Sequence, residues 1–185
     1  TQSALLEVME EGKVTVDGKS RPVGRPFTVI ATQNPIEQAG TYRLPEAQLD
    51  RFLMKTSLGY PDSASTIRIL QESNERIQVL PPVMIPDQMD SMSDFAGTVY
   101  IAPAIADYIT RLIEATRDAV QVRLGSSVRG GIGLARASRV RAASQGRDFV
   151  LPDDVKALAV PVLAHRLILD AEAEFDGLTP EAVVS

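Results

Sequence analysis

Residues 27–35 read Phe27-Thr28-Val29-Ile30-Ala31-Thr32-Gln33-Asn34-Pro35. The run from Phe27 to Thr32 is nearly continuous in apolar and β-branched residues, the pattern of a central strand covered on both faces. Pro35 cannot donate to a ladder, so the strand is expected to stop there. Asn34 then stands just past the strand's C-terminal end, the edge at which open α/β sheets bind ligands. Its amide can hold a water or a phosphate oxygen. A loop Asn making an Asx turn before Pro35 accounts for the same residue, and on position alone that is the preferred account.

On the N-terminal side, residues 1–11 place Leu5, Val8 and Met9 at helical spacing, with Gly12 as the C′ residue. No cap precedes Thr1, so the helix is expected to begin outside the sequence. Lys13-Val14-Thr15-Val16, then Asp17-Gly18, then Lys19-Ser20-Arg21 spell a β-hairpin. On the other side, residues 36–43 form a polar loop. Leu44-Pro45-Glu46-Ala47-Gln48-Leu49-Asp50-Arg51 reads as a short helix with Pro in its first turn. Phe52 to Leu58 is a second strand candidate, closed by Gly59-Tyr60-Pro61. The β signal ends there. Helices are expected from Asp62 to about Asn74 and from Pro103, through Ile105, Tyr108, Ile109, Leu112 and Ile113. Ser126 or Ser127 can cap another that Gly146 ends, and a last helix runs from Pro152 through Pro161. Pro81, Pro82 and Pro86 mark a linker. The expected architecture is α/β over residues 1–59 followed by all-α over residues 60–185.

The 185 residues contain no Cys, which excludes a disulfide framework, a Cys-based zinc site and thiol catalysis. A lone His165 argues against a His-rich metal site. No apolar run reaches the roughly 18–20 residues that span a bilayer, and no leader segment is visible, so a cytoplasmic protein is expected. The net charge of −5 argues against general nucleic-acid binding. That average hides a local excess: residues 121–147 hold six Arg and no acidic residue, and residues 148–185 hold eight acidic residues against two basic ones. The simplest account is a solvated face neutralised by the acidic segment that follows. The sharper one is that at least one of these arginines faces a phosphate.

Gly18-Lys19-Ser20 is not a phosphate-binding loop. The first Gly of G-x-x-x-x-G-K-[ST] would fall at Lys13, and the triplet lies in a hairpin turn. Gly130-Gly131-Ile132-Gly133 lacks G-x-G-x-x-G. Two arginines stand out beside Asn34. Arg51 follows the short helix and could reach a neighbouring subunit's phosphate. A surface ion pair with Asp50, Glu46 or Glu37 is its alternative. Arg129 lies in the first turn of a helix, where the macrodipole already favours anions, so a purely structural cation is poorly placed there. Arg136 shares its face; Arg139 and Arg141 point elsewhere.

Order and spacing carry more than any single residue. Thr1-Gln-Ser-Ala-Leu-Leu-Glu, then Phe27 through Tyr42, then Leu44-Pro-Glu-Ala-Gln-Leu-Asp-Arg-Phe, together resemble the MoxR family of AAA+ ATPases. Gly125-Ser-Ser-Val-Arg129, Gly146-Arg-Asp-Phe-Val, Pro152-Asp-Asp-Val-Lys-Ala-Leu, Val162-Leu-Ala-His-Arg-Leu and Glu174-Phe-Asp-Gly resemble that family's lid. The resemblance spans essentially the whole chain. It implies a partial AAA+ (P-loop NTPase) core with a β-hairpin insertion over residues 1–59 and a helical lid bundle over residues 60–185. It implies that Asn34 is sensor 1, Arg51 the arginine finger acting on a neighbour's ATP, and Arg129 sensor 2 reading the same subunit's γ-phosphate. Asn34 and Arg129 should then line one cleft, with Arg51 on the opposite subunit edge. No metal-ligating residue is implied within the chain.

The resemblance further implies ATP and Mg²⁺ as cofactors of the parent protein, a homo-oligomeric ring, a hexamer by expectation, and a von Willebrand factor A domain partner. The Walker A and Walker B motifs are expected before Thr1, so the polypeptide alone is expected not to hydrolyse ATP. The family's role is ATP-driven, chaperone-like remodelling or activation of client complexes. Two alternatives remain at this level. One is a magnesium-chelatase or helicase-like AAA+ segment, for which Lys13, Lys19, Arg21 and Arg25 near the hairpin keep nucleic acid open. The other is a non-catalytic helical adaptor binding protein or nucleic acid through residues 121–147, which predicts an exposed arginine-rich helix.

Overall fold

The computed structural model describes residues 2–33, 45–71 and 80–185. Helix α1 (Gln2–Glu11) ends at Gly12, whose φ of 63° is the left-handed conformation a helix terminus favours. Strands β1 (Lys13–Val16) and β2 (Lys19–Pro22) pair antiparallel, Val16 opposite Lys19. Asp17 and Gly18 turn the chain with φ of 50° and 72°, the paired positive values a two-residue hairpin loop requires.

Neither expected core strand is realised. Residues 27–32 and 54–58 have no regular secondary structure, residues 52–53 bend, and Ile30 and Leu58 are exposed rather than covered. A strand exists only against a neighbour, and among the described residues none lies beside either run. The second run is tied to the helical part by a backbone bond, Lys55 N–H to Pro161 O at 2.9 Å, and by side-chain bonds to its first carbonyls, those of Phe52 and Leu53.

Helix α2 (Glu46–Leu49) forms as expected, with Pro45 just before it. Helix α3 (Ser63–Gln71) is capped by Asp62, whose carboxylate accepts from Ser65 N–H at 2.7 Å. The expected linker is partly helix: Pro86 opens α4 (Pro86–Thr98) as its first residue, a position where the missing N–H costs nothing. Helix α5 (Pro103–Asp118) buries Ile105, Ile109 and Ile113 on one stripe. Helix α6 (Val128–Ser144) follows and stops at Gly146, φ 72°. Helix α7 (Pro152–Leu163) continues through Pro161 into a 3₁₀ turn, Ala164–Arg166. Short helices α8 (Ala171–Phe175) and α9 (Pro180–Val184) close the chain. The part expected to be all helix also holds one small ladder, β3 (Val122–Leu124) against β4 (Ile168–Leu169).

The apolar core lies among these later elements, where Leu134, Val155, Val162 and Leu163 are all but inaccessible. Helix α6 approaches its neighbours through glycine. A Cβ at Gly131 would sit 2.2 Å from Ile113 Cδ1, so α5 and α6 meet closely enough that this side-chain tip would have to shift for any larger residue. The local cost of interior glycine, about 1 kcal/mol each against Ala, is offset by that packing.

Candidate functional site

Four segments that are distant in sequence bring charge to one place: the end of α1, the residues after α2, the first turn of α6 and the 3₁₀ turn after α7. Glu10 is the hub on the α1 side. It pairs with Arg51 Nη1 through one carboxylate oxygen and with Arg129 Nη2 through the other, the latter at 2.8 Å. Asp50 is the hub on the α2 side. Its Oδ2 lies 3.2 Å from Arg129 Nη1, its Oδ1 accepts from Arg166 Nε at 2.9 Å, and Ser127 Oγ is 3.3 Å from both oxygens. Three guanidiniums thus meet two carboxylates, leaving one net positive charge at the site.

Exposure grades across the cluster. The Arg129 and Glu10 side chains are about half exposed, Arg51 about a quarter, and Arg166 is buried at 3%. The outer guanidiniums can exchange a carboxylate for another oxyanion; the inner one cannot reach solvent. Burial pushes the Arg166 guanidinium below its ordinary range, and the charge and hydrogen bond of Asp50 oppose that. His165 sits beside it, Nε2 3.1 Å from Phe52 O and 2.9 Å from Arg166 Nη1. Burial first, and the Arg166 charge second, push this imidazole below its ordinary value.

Of the residues singled out from sequence, Asn34 lies outside the described residues. Arg51 and Arg129 are brought together, not placed on opposite edges: one carboxylate, Glu10, spans both. Arg51 pairs with Glu10; of the three carboxylates named as its alternative partners, Asp50 is engaged by α6 and the 3₁₀ turn, and the side chains of Glu37 and Glu46 lie outside what the structure describes. Ser127 occupies the N-cap of α6 but turns its hydroxyl to Asp50 instead of capping. Sequence reasoning missed Glu10 and Arg166. Nothing in the sequence marks Glu10, but Arg166 is one of two basic residues in an acidic segment, which marks it for a carboxylate partner.

The arginine-rich stretch divides as its simplest account had it. Arg147 grips Asp154 with both nitrogens, at 2.7 and 2.8 Å, and Arg141 Nε lies 3.5 Å from the same carboxylate. Arg123 and Arg136 remain exposed.

A partial α/β segment whose carboxylates Glu10 and Asp50 are met by Arg129 and Arg166 of a helical part fits an AAA+ ATPase segment, and comparison with known proteins agrees. Residues 1–54 match the ATPase family associated with various cellular activities (AAA), and residues 114–185 match the AAA lid domain. The whole chain aligns with protein YeaC of Bacillus subtilis (strain 168) at 45% identity and with Chaperone MoxR1 of Mycobacterium tuberculosis (strain ATCC 25618 / H37Rv) at 39%. It covers 58% and 51% of those proteins, so the chain spans about half the length of the curated relatives it matches. A crystal structure from Cytophaga hutchinsonii ATCC 33406, described as a candidate ATPase, superposes with a TM-score of 0.89 at 37% identity, over 99% of this chain and 59% of that one. The chain belongs to the MoxR family of AAA+ ATPases.

Proposed function

We propose that this chain is the sensor and lid portion of an ATP-hydrolysing, chaperone-like MoxR-type protein. Within it, residues 1–59 are the back part of the ATPase core and residues 60–185 the lid. The observation that carries the reading is the convergence of Arg51 and Arg129 on the one carboxylate of Glu10. A carboxylate held by two guanidiniums is a stand-in for a phosphate oxyanion. Phosphoryl transfer needs such positioned charge far more than covalent chemistry.

If Arg51 serves as the finger for a neighbour's ATP, Arg129 is offered to that same nucleotide, since both reach one carboxylate. Asn34 would serve as sensor 1, as the resemblance implies. The cluster's net positive charge fits the γ-phosphate of ATP. Among the described residues no group of three carboxylate or imidazole side chains could hold a metal, so no Mg²⁺ step is assigned to them. The protein would act as a ring, a hexamer in the simplest closure, in the cytoplasm, with a von Willebrand factor A domain protein as a candidate partner and remodelling of client complexes as its task. Among the described residues no helix is long and apolar enough to cross a membrane. The engagement of Arg147 and, at longer range, Arg141 by Asp154 counts against a nucleic-acid adaptor.

The test is ATP turnover by the complete ATPase containing this chain. Arg51→Ala should lower kcat by about 10³-fold or more, the scale of an arginine finger. Arg129→Ala should lower it by at least about tenfold. Wild-type turnover in both variants, or ATP turnover by the 185-residue chain alone, would sink the reading.

A further inference from the structure

Arg166 is the most deeply placed charge in the cluster, and its contacts are directed at one short segment. Its Nε donates to Asp50 Oδ1 at 2.9 Å. Its Nη2 donates to the backbone oxygens of Asp50 at 3.1 Å and Phe52 at 2.6 Å, and its Nη1 to that of Leu53 at 3.2 Å and to Val162 O. Residues 50–53 follow α2, where helix-end carbonyls lack intrahelical partners and carry partial negative charge. One guanidinium fork from the 3₁₀ turn therefore satisfies the segment that carries Arg51.

The same group also sets Arg129. Asp50 gives Arg166 one oxygen and faces Arg129 with the other. Gly130, the residue after Arg129, lies against the Arg166 stem, since a Cβ there would sit 3.1 Å from Arg166 Cδ and 2.1 Å from Ser126 Oγ. A buried ion pair is a weak source of stability, because desolvation consumes most of its Coulombic gain. What this one supplies is a fixed geometry between two segments from different parts of the chain.

We propose that Arg166 is a positioning residue which, through Asp50, fixes the spacing of Arg51 and Arg129 and so makes their joint presentation to phosphate depend on how the lid is seated. The proposal rests on the ATPase reading above for its catalytic consequence, but not for the spacing itself.

Arg166→Lys is the discriminating variant: it keeps the charge and loses the planar fork of directed donors. In the complete ATPase, kcat should fall at least about tenfold while KM for ATP moves less than about threefold, as expected when the arginines are misplaced chiefly for the transition state. The spacing is read separately in the 185-residue chain, which has no native Cys, with spin labels at two exposed positions on the segments concerned, Thr56→Cys after α2 and Arg136→Cys in α6. The distance distribution should broaden in Arg166→Lys while far-UV circular dichroism stays helical. Wild-type kcat, or a distribution as narrow as wild type's, overturns the proposal. Should Arg166→Lys fail to fold, Asp50→Asn probes the same link from the other side: broadening supports the proposal, and an unchanged width overturns it. If Arg51→Ala and Arg129→Ala leave turnover intact, the ATPase reading fails, and the label distances still decide whether Arg166 sets the spacing.

Discussion

Asp50 holds Arg129 at 3.2 Å with the carboxylate oxygen that it does not present to Arg166. That division of one carboxylate couples an exposed arginine, free to meet a ligand, to a buried one that cannot. Glu10 makes the outer contact to Arg129 at 2.8 Å from a half-exposed position. The two acids therefore differ in what their loss leaves behind.

Asp50→Ala should be the costly change. It strands the Arg166 guanidinium away from water with no anion, only backbone carbonyls and the His165 ring as partners, and losing one partner of a buried pair costs about 3 kcal/mol at the low end. Glu10→Ala removes solvent-screened pairs worth under about 1 kcal/mol. Thermal melting of the chain measures both: each kcal/mol corresponds to roughly 2–4 °C at this size. Equal shifts for the two variants would mean that Arg166 does not depend on Asp50.

Two glycines should respond differently to alanine. At Gly125 an added Cβ meets backbone, the Arg117 Cα and N and the Thr116 O all at 2.7 Å, where nothing can swing aside. Gly125→Ala should cost about 2–3 kcal/mol by overpacking. It should also disturb the bonds from Ser126 N–H to Thr116 Oγ1 and from Arg117 Nε to Ser126 O. At Gly131 the obstacle is Ile113 Cδ1, a side-chain tip. Its cost should be smaller, about 1 kcal/mol net of the helix propensity that Ala adds. Ile113→Val in the same chain should recover part of it. Denaturant midpoints give the comparison, and a Gly131→Ala loss equal to that of Gly125→Ala would contradict it.

The same packing explains what is legible in the sequence. Local chemistry is: Asp17-Gly18 specifies a two-residue turn, Gly146 a helix end and Pro103 a helix start, each through its own φ preference. Arg51 and Arg129 are marked by their place beside helix ends and by the strings around them. What fails are statements that need a partner. Phe27–Thr32 has strand composition but no ladder among the described residues, because periodicity describes a face and cannot supply the neighbour it pairs with. Pro86 reads as a break, although proline is equally at home as a helix's first residue. The meeting of Arg51 with Arg129 is invisible because Glu10 joins them across 119 positions of chain on one side. No local pattern encodes that span.

His165 should make the chain less stable as pH falls below neutrality. Its folded-state value is depressed by burial and by Arg166, so the unfolded chain binds the proton more readily. The contribution is complete above the ordinary histidine value of about 6.5 and is lost progressively below it. Melting temperature should fall between about pH 7.5 and 5.5 in the wild type. In His165→Gln that slope should flatten, while the neutral-pH value changes little if the Gln amide still reaches Phe52 O. An unchanged slope would assign the dependence to another group.

Asp154 governs a second, separate window. Its carboxylate, 2% exposed, is held below the usual range by the Arg147 hydrogen bonds against the opposing cost of burial, with Leu151 N–H adding to the effect at 2.8 Å. A depressed carboxylate contributes stability that is fully present above the unfolded value of about 3.9 and disappears as pH falls through the folded one. Acid unfolding of the lid should therefore set in below about pH 4, well apart from the His165 window. Asp154→Asn keeps the shape but not the charge. It should be less stable at pH 7, with Arg147 left without its anion, and its stability should vary less between about pH 4 and 2. Arg147→Ala should also destabilise the chain at pH 7, because the buried carboxylate then keeps only Leu151 N–H and the more distant Arg141 as partners. It should regain part of that loss on acidification, when Asp154 takes a proton. A variant that loses stability on acidification as steeply as the wild type would show that Asp154 is not the group being titrated.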